Sequence, residues 1–477
     1  MKAERGTPDL RAAPAAPAAP AALATAHGVT LSVALGATLS AHRSQCANVG
    51  ATRGTRNRLR LAGALAFLIS GVLAHSSALA DVLIRNARVH TVTSRGTLDR
   101  ADVLVRGTTI AAVGANLTAP AGVPVVDASG RELTPGLFGG ISDIGLTDVS
   151  AEASTDDSSV TDSMPLHDLQ LRPEFDPTSQ FNPRSVTVPV ARVAGITWTM
   201  LAPQGGTFLT GQASAVSLNG NFGAALAGTR TLFVDLTPDA SARSGGSRAA
   251  QFMLLDQVVR EARAPGAPGD KDLLHAAGRE ALRKYLAGGR VIFQADRAVD
   301  IREAIGFAQR NGMKPVIVGG AEAWVVASDL AKAKVPVVLD PLVNLPGSFD
   351  KIGARLDNAA LLNRAGVPIA FMLSEDPSTR AKRIRQVAGN AAAHGLPRDV
   401  ALAAITATPA DIFGVGASRG RIAPGQVADL ALWTGDPLEV TTVATSVWIA
   451  GQPMEMTSRQ TELRDRYLEK LRSQQAR

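Results

Sequence analysis

Cysteine is nearly absent from this chain. The 477 residues include a single cysteine, Cys46, which lies in an N-terminal segment that we expect to be removed. A chain without cysteine can form neither a disulfide nor a thiolate metal site, so both are excluded beyond residue 80. Aromatic residues make up only 4% of the sequence, which gives no indication of a stacking platform for bases or sugars.

Excess basic charge is also missing from most of the chain. The formal net charge is +7, but residues 1–80 hold eight Lys/Arg and two Asp/Glu, which is +6. The rest carries 41 Lys/Arg (49 minus 8) and 40 Asp/Glu (42 minus 2), a net of +1. A nucleic-acid binder needs a basic patch on its folded domain, so we expect no nucleic-acid partner.

Residues 53–80 have the pattern of a secretory signal peptide. Four arginines between positions 53 and 60 precede an apolar run of 14 residues at 61–74, shorter than the ~20 residues needed to span a bilayer. Ala78-Leu79-Ala80 matches the small-x-small cleavage pattern. We therefore expect a mature chain that begins at Asp81, lies in the periplasm or is secreted, and has no membrane span. An uncleaved membrane anchor is the alternative.

An Ala/Pro-rich extension precedes this signal at residues 1–52. A signal peptide normally starts close to its basic segment, so the hypothesis is that the true start lies near residue 50. Peptides from residues 5–40 in the precursor would contradict it.

Beyond residue 134, strand-like apolar runs alternate with helix-like segments. This alternation predicts an α/β fold, a (β/α)₈ TIM-like barrel. The predicted strands are 195–203, 290–295, 314–320, 335–342 and 367–377, and the predicted helices are 299–312, 322–334 and 380–413. Alternating runs at both ends of the chain predict a small β-unit: 82–93, 102–113, 123–136, 420–437 and 443–454. The polar stretch 150–192 is predicted to form a loop over the barrel mouth.

Two motifs carry a family resemblance. "TPGLFGGISDIGL" at 134–146 resembles the entry into the barrel of the metal-dependent amidohydrolases, where the strand normally ends in "D-A-H-x-H". "GRIAPGQVADLALWTGDP" at 420–437 is similar to the "G-x-I-x-P-G-x-x-A-D-L" segment near the end of that family. The chain thus resembles the amidohydrolase superfamily, most closely its imidazolonepropionase-like and prolidase-like branch, over about residues 81–455.

The resemblance implies a domain organisation and an activity. It implies a composite β-sandwich from residues 81–133 and 418–455, a barrel at 134–417 and a C-terminal helix at 456–477. The implied activity is hydrolysis of a carbon–nitrogen bond in a cyclic amide or small peptide.

The family's metal ligands are largely missing. Relatives use two histidines on strand one, often a carboxylated lysine on strand four, one histidine each on strands five and six, and an aspartate on strand eight. The strand-one positions here are Ile141 and Asp143, and no lysine occurs between Lys2 and Lys271. At strand five, "FQADRAVDI" places Gln294 and Asp296 where histidines are expected.

Strands six and eight complete the comparison. In "IVGGAEA", Gly319 takes the strand-six position, and Asp376 is the strand-eight match, with Glu375 one residue out of register. Four histidines follow residue 80, and none ends a predicted barrel strand: His90, His167, His275 and His394. We therefore predict no metal site of the usual kind.

The remaining polar residues are the candidate site. Asp376 and Asp143 are the catalytic candidates, and Gln294, Asp296 and Glu322 are the candidates for binding substrate. The acids are either hydrated or paired with Arg297. Alternatively they form an oxygen-only site for Mg²⁺, Ca²⁺ or Mn²⁺, or perform metal-free acid/base chemistry with two carboxylates.

Two further features have open interpretations. The glycine-rich loop 203–212 either binds an anion through its backbone amides or is a turn that caps the barrel. Trp198 and Trp324 are either packing residues or a stacking surface for substrate.

The leading hypothesis is an exported, catalytically degenerate amidohydrolase. It would act as a subunit or ligand-binding partner of an intact paralogue, or as a homo-oligomer. No cofactor is expected, and a divalent metal would bind only through an oxygen-ligand site. The alternative is an active, divergent hydrolase that uses oxygen ligands or carboxylates alone.

Overall fold

The computed structural model describes residues 81–149, 151–160, 171–204, 207–242, 244–374 and 380–475. The predicted extension and signal peptide at 1–80, with Cys46, lie outside these residues. His167, Glu375 and Asp376 lie outside them as well.

Seventeen β-strands occur within the described residues. They are β1 (Val82–His90), β2 (Thr97–Arg106), β3 (Thr109–Gly114), β4 (Val125–Asp127), β5 (Glu132–Pro135), β6 (Leu137–Ser142), β7 (Ile196–Leu201), β8 (Leu209–Ala213), β9 (Ala215–Ser217), β10 (Thr231–Asp235), β11 (Arg290–Ala295), β12 (Lys314–Gly319), β13 (Val337–Leu339), β14 (Ile369–Phe371), β15 (Leu430–Trp433), β16 (Ala444–Ile449) and β17 (Gln452–Pro453).

The same part of the chain forms eleven α-helices. They are α1 (Thr187–Arg192), α2 (Pro238–Ala242), α3 (Arg248–Arg263), α4 (Ala276–Leu286), α5 (Ala298–Asn311), α6 (Ala327–Ala333), α7 (Asn358–Arg364), α8 (Ile384–Ala393), α9 (Arg398–Ala403), α10 (Ala407–Ile412) and α11 (Arg459–Gln475). Short 3₁₀ helices include Ala323–Val326 and Phe349–Lys351. Over the described residues, no helix is both long and apolar enough to cross a bilayer.

Strands from both chain ends pair in one eight-stranded sheet. Its order is β17-β16-β15-β5-β1-β2-β3, with β4 also paired to β1. The ends meet where β15 runs antiparallel to β5, with Leu430 opposite Pro135. There the Trp433 indole nitrogen donates to Thr134 Oγ1 at 2.8 Å, across 299 residues of sequence. The predicted two-ended β-unit is therefore present as a shared sheet.

The central residues form a six-stranded sheet and a three-stranded sheet. The larger has the order β14-β13-β12-β11-β10-β8, parallel from β10 to β14 and antiparallel at β8. The smaller has the order β6-β7-β9, with β6 and β7 parallel. Parallel neighbours need long crossovers, and helices supply them here. The result is the mixed α/β fold that the sequence predicts.

Helix α5 shows how closely a local pattern can predict an element. The sequence predicts a helix at 299–312, and α5 spans Ala298–Asn311 with Gly312 after it in the left-handed conformation at φ 70°. Glycine is favoured there because it carries no Cβ. The predicted helix at 322–334 is instead divided into the 3₁₀ turn Ala323–Val326 and the shorter α6.

The core lies mainly around the two central sheets. Trp198 is 1% exposed, and its ring lies 4.5 Å from that of Phe138. Trp324 donates from its indole nitrogen to the Gly353 carbonyl at 2.9 Å, and the Arg355 guanidinium stacks 4.7 Å from its ring centroid. Both tryptophans therefore have packing roles within the protein.

Candidate functional site

A cavity opens where the parallel strands of the six-stranded sheet end. In open α/β sheets, ligands bind outside the carboxyl ends of the strands. This main cavity has a volume of about 360 Å³. Its lining comes from strand ends and the loops that follow: Ile141, Ala202, Pro203, Gln204, Thr210, Phe233, Val234, Asp235, Ile292, Gln294, Val318, Met372, Leu373 and Ser374.

A smaller side cavity of about 110 Å³ adjoins it. The two share Gln294, Val318, Met372 and Ser374. The side cavity has more charged side chains in its lining, because the chain after β13 contributes Asp340, Lys351 and Arg355. The rest of its lining is Asp296, Gly319, Ala321, Leu339, Asp340, Val343, Lys351, Arg355 and Asn358.

Strand β6 brings an apolar side chain to the cavity. Ile141 is 7% exposed and lines the main cavity, at the first position that the resemblance assigns to a histidine. Asp143 is 9% exposed and follows the strand, and its carbonyl accepts hydrogen bonds from the backbone nitrogens of Leu146 and Thr147. It is not among the residues that line either cavity.

Strand β11 brings the two predicted strand-five residues together. Gln294 lines both cavities, and Asp296 lines the side cavity. The carboxylate of Asp296 accepts a hydrogen bond from the Ala321 backbone nitrogen at 3.2 Å and lies 3.9 Å from Lys351 Nζ. Its charge partner is therefore Lys351, from the connection between β13 and α7.

The acidity of Asp296 is shifted by its surroundings. Burial raises its pKa above the ordinary value, and Lys351 partly opposes this by favouring the charged form. The negative charges of Asp350 and Asp235 raise the pKa further. A perturbed carboxyl group in a cavity is a feature of functional sites, although structural ion pairs also produce it.

Gly319 at the end of β12 cannot easily carry a side chain. Its φ is +93°, a conformation that L-residues rarely adopt. An added Cβ would lie 2.8 Å from Asp296 Oδ1 and 3.5 Å from the Ala295 carbonyl oxygen. A histidine at this predicted ligand position would therefore displace Asp296.

Arg297 and Glu322 line neither cavity. Arg297 donates two hydrogen bonds to Asp300, at 2.8 and 3.0 Å, so the proposed pairing of the cavity acids with Arg297 is replaced by the Lys351 contact. Glu322 accepts a hydrogen bond from the Ala298 backbone nitrogen at 2.9 Å, at the start of α5. An acidic group at a helix N-terminus stabilises the helix, so the role that this contact gives Glu322 is to stabilise the start of α5.

Asp340 and Ser374 form a contact that the sequence did not reveal. Ser374 donates to Asp340 Oδ2 from its backbone nitrogen at 3.0 Å and from its hydroxyl at 2.9 Å. Leu342 N donates to Asp340 Oδ1 at 3.0 Å. Asp340 directly follows β13, and an acid immediately after a buried strand was the available signal.

The histidines of the described residues lie away from the cavities. His90 Nε2 is 2.6 Å from Glu132 Oε2 in the eight-stranded sheet. His275 precedes α4 and His394 follows α8. Across the part of the chain that the structure describes, no three His, Cys, Asp or Glu side chains converge as metal ligands would.

The glycine-rich loop contributes side chains to the main cavity. Gln204 and Thr210 line it, and residues 209–213 are strand β8. Gly205 and Gly206 lie outside the described residues, as do the candidate Asp376 and its neighbour Glu375.

Taken together, the described residues do not fit the family's metal set. Neither Ile141 nor Gly319 offers a side-chain ligand atom, and Asp296 already faces an ammonium group. Zinc-type sites need three or four such ligands.

Comparison with known proteins finds similarity to amidohydrolases. The family model described as "Amidohydrolase family" matches residues 379–454. The amidohydrolase tasK of Hapsidospora irregularis is 38% identical over 79 residues, which is 17% of this chain and 8% of that protein. The chain thus spans less than a tenth of that relative's length, and the relative's whole activity does not transfer.

Solved structures extend the likeness to most of the chain. An amidohydrolase from Thermotoga maritima MSB8 superposes with a TM-score of 0.67 at 24% identity, covering 78% of this chain and 99% of that one. A prolidase complexed with N-methylphosphonate-L-proline gives 0.49 at 15% identity, with coverage of 79% and 100%. The first of these shows a shared fold, and the family model matches the C-terminal segment that contains the 420–437 motif. Residues 379–454 thus match the amidohydrolase family model, and most of the chain shares its fold with a solved amidohydrolase.

Proposed function

We propose that this chain is an exported amidohydrolase-fold protein that binds a small polar molecule and has lost metal-dependent hydrolysis. It would act as a ligand-binding or partner subunit, beside an intact paralogue or in a homo-oligomer. The main and side cavities would be its binding site. The observation that carries the proposal is the close approach of Gly319 to Asp296.

This approach argues against a metal site for a steric and an electrostatic reason. The strand-six position cannot gain a ligand side chain without moving Asp296, the neighbouring candidate ligand. Lys351 Nζ, 3.9 Å from Asp296, supplies positive charge where a metal ion would otherwise bind. Two like charges near one carboxylate repel each other, so the lysine disfavours a metal cation.

We also propose that strands β6, β7 and β10–β14 close into the family's barrel. The ends of the strand series support this, because a Cβ on Gly140 of β6 would lie 3.2 Å from Met372 Cα, just after β14. By the same proposal, residues 81–133 and 418–455 form the composite β-sandwich, and 134–417 form the barrel domain.

Metal analysis tests the proposal directly. The purified chain, kept free of chelators, would be equilibrated with Zn²⁺, Mn²⁺ and Mg²⁺, desalted and measured by mass spectrometry. We expect well below one equivalent of each metal. Near-stoichiometric Mn²⁺ or Mg²⁺ that disappears in Asp376→Ala would contradict the proposal and support an oxygen-ligand hydrolase, and stoichiometric zinc would contradict it as well.

Ligand binding is the second half of the test. Small polar compounds that bind the cavities should raise the melting temperature of the chain, because a ligand that binds only the native state stabilises it. The shift should shrink in Gln294→Ala, which alters both cavities, and persist in Gln309→Ala on α5, which lines neither. A broad screen without any stabilising compound would speak against a ligand-binding role.

A second candidate function is metal-free acid/base hydrolysis. It is favoured by the raised pKa of Asp296, which burial produces next to the negative charge of Asp235. A carboxyl group with a raised pKa can act as a general acid while a second carboxylate stays charged. The assay is hydrolysis of cyclic amides and dipeptides in the presence of a chelator. Activity that is lost in Asp296→Asn would support this function, and activity that survives the substitution would exclude it.

A further inference from the structure

The connection between β13 and α7 exposes large apolar side chains. It runs from residue 340 to 357, and irregular connections longer than ~12–15 residues are usually functional. Within the described residues, Phe349 is 91% exposed, Leu345 72% and Ile352 64%. Phe349 and Ile352 lie on one side of the 3₁₀ turn, because residues three apart are eclipsed in such a turn. Burial of apolar area drives association, so a surface of this kind indicates a partner.

The polar groups of the same connection hold it in place. Asp350 is buried and pairs with Arg248 from the start of α3. The Gly353 carbonyl accepts the hydrogen bond from the Trp324 indole at 2.9 Å. Asp340, at the other end, accepts three hydrogen bonds. The exposed apolar side chains therefore project from a segment that the rest of the chain anchors.

A groove of about 380 Å³ lies beside this turn. Gly347 and Lys351, two positions before and after Phe349, both line it. We call it the outer groove; its apolar wall is Leu342, Val343, Leu345 and Leu373, and Arg380 and Arg383 line it as well. A cavity of about 150 Å³ holds benzene, so the outer groove has room for a phenyl ring. An apolar projection beside an apolar groove suits a self-complementary interface with two-fold symmetry.

The exposed apolar area matches what a dimer needs. The large apolar side chains of the connection together expose roughly 400 Å², and patches of about 300–600 Å² are often functional. Homodimer interfaces are about 65% apolar, so this area corresponds to roughly 600 Å² on each protomer and roughly 1,200 Å² in total. A specific interface needs about 1,000 Å² in total, which two copies of this surface would supply.

The charges of the connection favour a second copy over a strongly charged partner. Its charged side chains all have partners within the chain: Asp340 with Ser374, Asp350 with Arg248, Lys351 with Asp296, and Arg355 with Asp357. The connection thus has no unpaired charge to attract an acidic peptide. Arg383 of the outer groove is an exposed cation, so an anionic membrane surface is the alternative that the experiment has to exclude.

We propose that two copies of this chain pair about a two-fold axis, with the Phe349 ring of each protomer in the outer groove of the other. The outer groove shares Asp340, Val343, Lys351 and Ser374 with the side cavity. The partner's ring would therefore lie next to the side cavity and narrow its opening. The proposal deepens the proposed function, because it names the surface and the partner of the homo-oligomer included there.

Sedimentation velocity of the purified chain from about 1 to 100 µM tests the proposal. We expect a dimer with a dissociation constant in the micromolar range, because the interface is at the small end of specific ones. Phe349→Lys should weaken it at least about thirtyfold, as expected of a central aromatic anchor. The matched control is Phe222→Lys, since Phe222 is 79% exposed between β9 and β10 and does not line the outer groove. It should leave the dimer unchanged.

A pair of complementary variants tests the reciprocal contact. Leu345→Asp alters the wall of the outer groove and should also weaken the dimer. A mixture of Phe349→Lys and Leu345→Asp should form heterodimers more tightly than either variant pairs with itself. One contact of the heterodimer is then native, and the other brings a lysine to an aspartate. Loss of folding in one variant would not produce this recovery.

The outcomes separate the interface from the proposed function. A chain that stays monomeric at about 100 µM, a dimer that Phe349→Lys leaves intact, or a mixture of the two variants that stays monomeric overturns the interface. A monomer that binds vesicles of anionic phospholipid through Phe349 overturns it in favour of a membrane surface. A monomer that still binds compounds in a Gln294-dependent way keeps the ligand-binding function without the interface. A dimer that binds no compound keeps the interface without that function.

Discussion

Replacing Gly319 by alanine should destabilise the protein by an amount that the local geometry allows us to estimate. A left-handed conformation costs an L-residue roughly 1–2 kcal/mol, and Gly319 has φ +93°. The new Cβ would also lie 2.8 Å from Asp296 Oδ1, so the carboxylate must move away from the Ala321 nitrogen that it accepts from. A hydrogen bond to a charged group contributes about 1.5–3 kcal/mol, so the total is about 3 kcal/mol or more.

Urea unfolding followed by circular dichroism measures this cost, with stability compared at equal m-values. Gly366→Ala is the matched control, because Gly366 has φ +80° and nothing lies within 4 Å of its added Cβ. It should lose only the backbone part, about 1–2 kcal/mol. In an Asp296→Ala background, Gly319→Ala should likewise cost only that part, since the clashing carboxylate is gone.

The steric reasoning would be refuted if Gly319→Ala cost no more than Gly366→Ala, or if its cost were the same with and without the Asp296 side chain. The first result would mean that Asp296 moves without loss. The second would mean that the cost arises elsewhere.

Three further predictions follow from buried polar groups. Burial raises the pKa of Asp296, so above about pH 4 the native state keeps a proton that the unfolded chain loses. The free energy of unfolding should therefore fall as the pH rises from the unfolded to the native pKa of this group. Urea titrations at several pH values should show a weaker pH dependence of that free energy in Asp296→Asn. Tyr285 donates to Gln212 Oε1 at 2.5 Å, and burial raises the pKa of its phenol. In a Tyr467→Phe background, an absorbance titration should show that Tyr285 ionises only when alkali unfolds the protein. Ionisation at a lower pH than unfolding would contradict its burial. Arg385 donates to the carbonyls of Pro437 and Thr442, both at 2.7 Å, and its guanidinium lies 4.8 Å from the Trp433 ring centroid. Thermal and urea unfolding should show that Arg385→Met lowers the stability by about 3 kcal/mol or more. A loss below about 1 kcal/mol would mean that water replaces these hydrogen bonds.

Local patterns predicted the elements well where short-range physics decides them. Helix α5 was predicted within one residue at each end, because an amphipathic repeat and Gly312 mark it in the sequence. The 322–334 helix was predicted as continuous, but the chain forms a 3₁₀ turn before α6. The local sequence does not distinguish a 3₁₀ turn from a helix here. The turn brings the Trp324 indole to the Gly353 carbonyl, and this contact depends on tertiary packing.

The site was predicted less completely because it depends on contacts between distant segments. Gln294 and Asp296, which the family resemblance singles out, lie at the end of β11 and line the side cavity, and their role in binding stays a prediction. Lys351 was not anticipated, since its connection has no motif and reaches Asp296 only after folding. Asp340 and Ser374, 34 residues apart, could be paired only by knowing that β13 and β14 are neighbours.

The sheet shared by the two chain ends can be completed only late in biosynthesis. Strand β5 cannot gain its neighbour β15 until the ribosome has added the 299 residues that separate Thr134 from Trp433. At about 5–20 residues per second, this takes about 15–60 seconds. Throughout that interval β5 has an open edge on its β15 side, and open edges invite pairing with other chains. Pairing of that edge with other chains therefore competes with correct folding until the last strands of the same chain arrive.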